Sequence, residues 1–191
     1  MNIESYFRDR VLELRSLAER GDPWVFLCGA SFIEYLAKMT SGKSTGANDY
    51  KDFLRNRFFR VCTAYASFKY SCGKCDLAEQ MYHVLRCGIV HSFSVFADPQ
   101  AKGYGGRDRS IILAHRNTAS GRTHLDNWVD RRSNPRLDAA VFVAEDFIDD
   151  IAKVTDSLFV EARKRTPAGV QLRKNIQMWV SRCPPIGSLI L

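Results

Sequence analysis

The sequence has no apolar run long enough to cross a lipid bilayer. Its longest apolar stretch, WVFLCGASFIEYLA, contains Glu34 and is shorter than the about 20 residues that a membrane helix needs. The first ten residues, MNIESYFRDR, are charged and have no apolar centre, which argues against a signal peptide. We therefore expect a soluble protein of the cytoplasm.

Cysteine is scarce and irregularly spaced, with six residues among 191. This pattern excludes a dense disulfide framework and is typical of reduced thiols in a cytosol. Cys72 and Cys75 form one close pair, which a redox role or half of a zinc site would also explain. A second pair with ligand spacing is missing from the sequence, so ordinary turn cysteines are favoured, and we expect no metal site. The sequence also has no internal repeat and no low-complexity tract.

Acidic residues are outnumbered by basic ones. The chain has 28 Lys and Arg against 21 Asp and Glu, a net charge of +7 and a pI of about 9.2. A basic surface favours phosphate-bearing partners, nucleic acid first, although ordinary solubility explains the same charge. Hydrophobic residues make up 46% of the chain and aromatic residues 12%, which is enough for one folded domain over residues 1–191.

Apolar periodicity predicts a mainly α fold. Gly21 ends a first helix, Asp22 and Pro23 begin a second, and Asp76 begins a fourth. Two short strands with a polar connection predict a small β-hairpin inserted before the fifth helix of a helical bundle. The predicted helices span 3–20, 24–39, 49–70, 77–93, 145–165 and 171–182, and the predicted strands span 110–115 and 137–144.

The fourth helix carries Arg86 and His91 in the segment MYHVLRCGIVHSFS. An arginine can neutralise a phosphate, and a histidine can move a proton at neutral pH, so the pair suits RNA cleavage by transesterification. On an α-helix the two residues are about 140° apart, so they converge only if the helix bends near Gly88 or a second subunit contributes. The alternative is a solvated arginine and a histidine that stabilises the helix end.

Helical projection separates an apolar side of this helix from a polar one. Met81, Leu85 and Ile89 form the predicted core side. His83 and Cys87 lie on the same polar side as Arg86 and are further members of the predicted site. This polar side also includes Glu79 and Gln80, and an i, i+4 pair between Glu79 and His83 is expected to raise the pKa of the histidine.

The segment MYHVLRCGIVHSFS resembles the signature helix of the HEPN superfamily, in which an arginine is followed after four to six residues by a histidine. The surrounding sequence is similar to HEPN proteins of bacterial defence and toxin–antitoxin systems. The resemblance implies a helical bundle that forms a homodimer and cleaves RNA without a metal or other cofactor. It assigns phosphate binding to Arg86 and acid or base catalysis to His91, and it implies an antitoxin or another defence-operon partner.

Two positions differ from the pattern of active members. Cys87 stands where these members carry a polar residue directly after the arginine, which predicts a weaker set of hydrogen bonds around the phosphate. Phe93 stands where toxins controlled by adenylylation carry a tyrosine, so that control is expected to be absent. A catalytically inactive RNA-binding or protein-interaction module, or a structural component of a defence operon, is therefore the alternative.

A basic segment follows the motif and interleaves arginines with aromatic rings. Guanidinium groups pair with phosphates and rings stack on bases, so the segment is predicted to bind RNA. A solvated loop explains the same composition. The RNA-binding candidates are Arg107, Arg109, Arg116, Arg122, Trp128, Arg131 and Arg132, with His115, His124 and Arg136 nearby.

Overall fold

The computed structural model describes residues 2–44, 46–71, 76–92, 109–129 and 138–184, with only the backbone described for 88–92, 109 and 110. The predicted mainly α architecture is confirmed. Two segments have π-helical hydrogen bonding and are labelled π1 and π2. In chain order the elements are α1 Ile3–Glu19, α2 Trp24–Ser41, α3 Ala47–Phe53, π1 Leu54–Phe58, α4 Phe59–Val61, α5 Thr63–Ser67, α6 Leu77–Gln80, π2 Met81–Ser92, β1 Arg109–Ala114, β2 Asn127–Val129, β3 Asp138–Val143, α7 Ala144–Arg163 and α8 Pro167–Arg182.

The first two helices begin where the sequence predicts and end within two residues of the predicted positions. The side chain of Asn2 accepts a hydrogen bond from the Glu4 amide at 3.0 Å, and Asp22 Oδ1 accepts one from the Trp24 amide at 2.9 Å. Such side-chain acceptors satisfy amides that have no partner within a helix. Gly21 takes a left-handed φ of 70°, so the chain turns sharply between α1 and α2.

The predicted helix over 49–70 is interrupted. Cys62 has φ −108° and ψ 79°, which separates α4 from α5 and redirects the chain. The Cys62 thiol lies 3.7 Å from the carbonyl oxygen of Asp150. Tyr65 packs against Phe58 with ring centroids 5.1 Å apart. Periodicity did not reveal this break, which lies where Cys62 contacts α7, far along the chain.

The strands form a three-stranded sheet in the order β1-β3-β2. The predicted β-hairpin is therefore wrong, because β1 pairs with β3 in parallel, from Arg109 opposite Asp138 to Ala114 opposite Val143. Parallel neighbours need a connection of about a dozen residues or more, and residues 115–137 supply it. The short strand β2, which the sequence did not predict, lies within this connection and pairs antiparallel with β3.

The last two helices complete the core. All six residues of β3 are buried, and the chain passes from β3 directly into α7, which packs against α1, α2 and α8. Helix α8 begins four residues earlier than predicted, because Thr166 accepts a hydrogen bond from the Gly169 amide at 3.2 Å and Pro167 suits the first helical turn. The main core draws buried side chains from every helix between α1 and α8, including Phe7, Phe26, Phe58, Tyr65 and Phe147.

Candidate functional site

The motif helix changes its hydrogen bonding after Gln80. Residues Met81–Ser92 form π2, in which each amide bonds to the carbonyl five residues earlier. A residue five positions further along a π-helix therefore lies about one turn above its partner, on the same face. Arg86 and position 91 have this relationship, so the backbone places both on one face without a bend at Gly88. The side chain of His91 lies outside the described side chains.

Arg86 binds Glu34 of α2 through two hydrogen bonds. Its Nε lies 3.1 Å from Glu34 Oε2 and its Nη2 lies 3.2 Å from Glu34 Oε1. The two side chains are only 25% and 19% exposed. The guanidinium of Arg86 therefore lies half-buried against α2 and is paired with a carboxylate there.

Glu34 is shared with a second cation on its own helix. Lys38 Nζ lies 2.8 Å from Glu34 Oε1. Burial acts to raise the pKa of Glu34, but the hydrogen bonds from Arg86 and Lys38 outweigh it and the pKa is lowered. The hydrogen bonds with Glu34 likewise raise the pKa of Arg86. A phosphate that reaches this guanidinium must bind beside the carboxylate or displace it.

The sequence contained one signal for this contact. Glu34 is the single charged residue in the apolar segment WVFLCGASFIEYLA, and a carboxylate on a buried helix face requires a cationic or hydrogen-bonding partner. Sequence reasoning used Glu34 only to judge whether the segment could cross a membrane. It did not identify which arginine would pair with it.

Two tyrosines lie near the motif arginine. Tyr50 of α3 is buried, and its hydroxyl has no hydrogen-bond partner among the described residues. Its ring centroid lies 5.7 Å from that of Tyr82, and the ammonium of Lys51 lies 5.7 Å from the Tyr82 centroid. Burial raises the pKa of the Tyr82 phenol, and a hydrogen bond with Cys87 acts in the same direction. Cys87 and Tyr82 therefore interact beside Arg86.

His83 lies near Glu79, but its pKa is lowered rather than raised. The distance from His83 Nε2 to Glu79 Oε2 is 3.6 Å. Glu79 is also bound by Lys51 at 3.0 Å and by Arg55 at 3.1 Å. Burial lowers the pKa of His83 more strongly than Glu79 raises it. The predicted increase in its pKa is therefore wrong, and the neutral imidazole is favoured.

The predicted polar face is also wrong at Gln80. Met81 and Leu85 are buried as predicted, and Val84 is buried with them. Gln80 is fully buried, and neither its amide nitrogen nor its amide oxygen has a hydrogen-bond partner among the described residues. Gln80 belongs to α6 and lies at i+3 from the buried Leu77, so it shares a buried side of the helix with that residue.

Only part of the predicted RNA-binding segment is described. Arg116 binds Asp146 of α7 at 2.8 Å, whereas the Arg122 guanidinium lies 5.3 Å from the centroid of Trp128. Arg109 begins β1, with only its backbone described. The structure therefore brings together Arg122 and Trp128 and places Arg116 in an ion pair. The remaining predicted positions, Arg107, Arg131, Arg132 and Arg136, as well as Phe93, Cys72 and Cys75, lie outside the described residues.

The two histidines of this segment face the interior. His115 Nδ1 lies 3.1 Å from the carbonyl oxygen of Ala18. His124 Nδ1 accepts a hydrogen bond from the Val143 amide at 3.0 Å, and its Nε2 lies 2.8 Å from the Tyr65 hydroxyl and 3.7 Å from Asp150. Burial lowers the pKa of His124 to about 4. These contacts hold the β1–β2 connection against α5 and α7, so His124 is unsuited to RNA stacking.

Comparisons with known proteins leave the chain without an assigned relative. No family model, curated protein or solved structure matches it. Within the described ranges, no group of three or more His, Cys, Asp or Glu side chains is arranged to hold a metal ion. In the same ranges, none of the helices combines the length and apolar character that crossing a membrane requires. The four described cysteines are free thiols: Cys28, Cys62, Cys87 and Cys183.

Proposed function

We propose that the chain is a HEPN-type endoribonuclease that cleaves RNA without a metal, with Arg86 and His91 as its catalytic residues. The observation that supports this most directly is the π-helical spacing, which places positions 86 and 91 about one turn apart on one face of π2. The same spacing on an α-helix would separate them by about 140°. The half-buried guanidinium of Arg86 is also held in a fixed orientation by Glu34, as phosphate recognition favours.

The proposed reaction uses the RNA's own hydroxyl as nucleophile. A ribose 2′-oxygen attacks the adjacent phosphorus, and the bond from phosphorus to the 5′-oxygen of the next nucleotide breaks. The products are a 2′,3′-cyclic phosphate and a free 5′-hydroxyl. In this scheme Arg86 stabilises the charge on the phosphate oxygens. His91 takes the proton of the 2′-hydroxyl or gives one to the leaving oxygen.

The proposal includes a homodimer in which the motif helices of two subunits face each other. It also includes a defence or toxin–antitoxin context, with an antitoxin or another defence-operon partner. Light scattering at micromolar concentration is expected to give twice the chain mass. A monomer would remove the second subunit from the site while leaving the intrachain spacing of Arg86 and His91 unchanged.

The cleavage experiment compares wild type with Arg86→Ala and His91→Ala on total RNA in the presence of EDTA. We expect wild type to cleave, with cyclic phosphate ends, and each substitution to lower the rate at least a hundredfold. Arg20→Ala is the matched control, because Arg20 is exposed directly after α1 and its side chain bonds only to Ser16 in the described contacts. Thermal unfolding of each variant separates loss of chemistry from loss of fold.

A second candidate function is a catalytically inactive HEPN-like module that binds RNA or a protein. Two observations favour it. Glu34 already occupies two of the five N–H donors of the Arg86 guanidinium, and Cys87 is a weak hydrogen-bonding neighbour. RNA binding without cleavage, unchanged by His91→Ala, would favour this module over the enzyme. If Arg86→Ala and His91→Ala both simply unfold the protein, the motif residues are structural and the site assignment is wrong.

A further inference from the structure

A cavity lies apart from the predicted RNA-binding segment. It opens between α1, α2 and the carboxyl end of α8 and has a volume of about 700 Å³. Sites for small molecules in proteins commonly enclose about 300–1,000 Å³ and are lined mainly by apolar and aromatic side chains. The size of the cavity therefore suits a molecule of one to three rings.

The walls of this cavity are aromatic and are already packed against one another. Phe7 lies 5.5 Å from Phe32 and 5.7 Å from Tyr35, measured between ring centroids. Tyr35 in turn lies 6.5 Å from Trp179, and its hydroxyl donates a hydrogen bond to the Cys183 carbonyl at 2.7 Å. Since neighbouring rings hold these walls in place, a ligand can stack without first ordering them.

The charged side chains that line the cavity occur as neutral pairs. Arg10 binds Glu13 at 2.6 Å, and Lys38 binds Glu34 at 2.8 Å. The lining therefore holds two cations and two carboxylates, and Glu34 also binds Arg86 behind it. Each charged lining side chain already has a partner of opposite charge, so none is left unpaired for an ionic ligand. A charged ligand would also lose hydration on entering the apolar interior without gaining an unpaired counter-ion.

We propose that this cavity is a binding site for a small uncharged aromatic molecule. The aromatic walls supply ring faces and edges for stacking, and the neutral lining selects against ionic ligands. Glu34 belongs both to the cavity lining and to the Arg86 contact. A bound molecule would therefore lie beside the motif arginine. Binding of this molecule does not depend on the proposed function, but any regulation of RNA cleavage by the molecule rests on that function.

The test titrates the full chain with N-phenyl-1-naphthylamine, an uncharged dye that fluoresces in apolar surroundings. We expect saturable binding of one dye per chain. Ser31 and Cys28 are exposed and line the cavity, so Ser31→Trp and Cys28→Phe should each fill it and weaken binding at least tenfold. Ser67→Trp is the matched control, since Ser67 is exposed on α5 and is not a lining residue. The anionic relative of the dye, 1-anilinonaphthalene-8-sulfonate, should bind at least tenfold more weakly.

Several results would overturn the proposal. One is non-saturable dye binding, and another is equal binding by wild type, Ser31→Trp and Cys28→Phe when all remain folded. Equal or tighter binding of the anionic dye would contradict an uncharged ligand. Dye binding that appears only when the protein is diluted would show that a second copy of the chain occupies the cavity. Dye binding that appears only after deletion of residues 185–191 would show that this segment of the chain occupies it. None of these readouts requires RNA cleavage, so this proposal and the proposed function fail independently.

Discussion

At the scale of single residues, the contact between Glu34 and Arg86 connects the motif helix to α2. Both side chains are partly buried, so each loses part of its hydration on folding, and the contact with the other replaces that hydration. Hydrogen bonds to charged groups contribute about 1.5–3 kcal/mol to stability when solvent is largely excluded. The contact therefore contributes to folding whether or not Arg86 also binds RNA.

A double-mutant cycle measures this contribution. We expect Glu34→Ala and Arg86→Ala each to lower the free energy of unfolding by about 1–3 kcal/mol, because each leaves a half-buried partner without its counter-charge. The double variant should lose less than the sum, with a coupling energy of about 1 kcal/mol or more by urea unfolding. Arg20→Ala should stay within about 0.5 kcal/mol of wild type. Additive losses would show that the two side chains do not interact in solution.

At the scale of elements, helix periodicity predicted which segments are helical. It did not predict where a helix is interrupted or where its hydrogen bonding becomes π-helical. Helices α1, α2 and α7 agree with the predicted ranges, because caps and apolar spacing act within a few residues. The interruption at Cys62 and the π-helical bonding of π2 were not predictable, since each depends on packing against distant residues. The two predicted strands do pair, but the hairpin was wrong because sequence alone did not specify that they would run parallel.

The turn between α7 and α8 depends on Gly169. A Cβ at this position would lie 2.5 Å from the Glu161 carbonyl oxygen and 2.6 Å from that of Lys164, and backbone atoms move less readily than side chains. We expect Gly169→Ala to lower stability by about 1–3 kcal/mol. Ala168→Ser, at the exposed neighbouring position, is the control and should have little effect. Equal thermal midpoints for both variants would contradict the close approach of the two helices.

At the scale of the whole molecule, His124 joins the sheet insertion to the helices. Its Nδ1 accepts a hydrogen bond from Val143, so the neutral ring carries its proton on Nε2, which faces Tyr65 and Asp150. Protonation of Nδ1 would replace this acceptor with a donor. Asp146 and Asp150 act to raise the pKa of His124 and Lys153 acts to lower it, but burial dominates.

Stability should therefore depend on pH through His124. Its pKa is about 4 in the folded protein against 6.5 as its ordinary value, so the unfolded chain binds more protons between these values. The stabilisation is present above pH 6.5 and is lost as the pH falls towards 4, by on the order of 3 kcal/mol in total. The free energy of unfolding should be measured at pH 7.5 and pH 5. Both values lie above the lowered pKa of Glu34, so Glu34 stays charged, and the difference should include about half of the loss due to His124.

The matched variant is His124→Asn, which can keep an acceptor for the Val143 amide but does not titrate. We expect it to show a smaller loss of stability than wild type between pH 7.5 and pH 5 in urea unfolding. The loss of stability that remains in this variant would include a contribution from His83, whose pKa is also lowered. An unchanged difference between the two pH values would show that His124 is not the group responsible.

The sequence by itself determined the mainly α class, most helix ends and the position of the Arg86–His91 pair. These features follow from local spacing, caps and turn residues, which act between neighbours along the chain. The tertiary structure decided that Glu34 holds Arg86, that His124 is buried and that β1 lies parallel to β3. Each of these contacts joins residues far apart in sequence, and only the packing of the whole chain determines which charges lose water together and which strands meet.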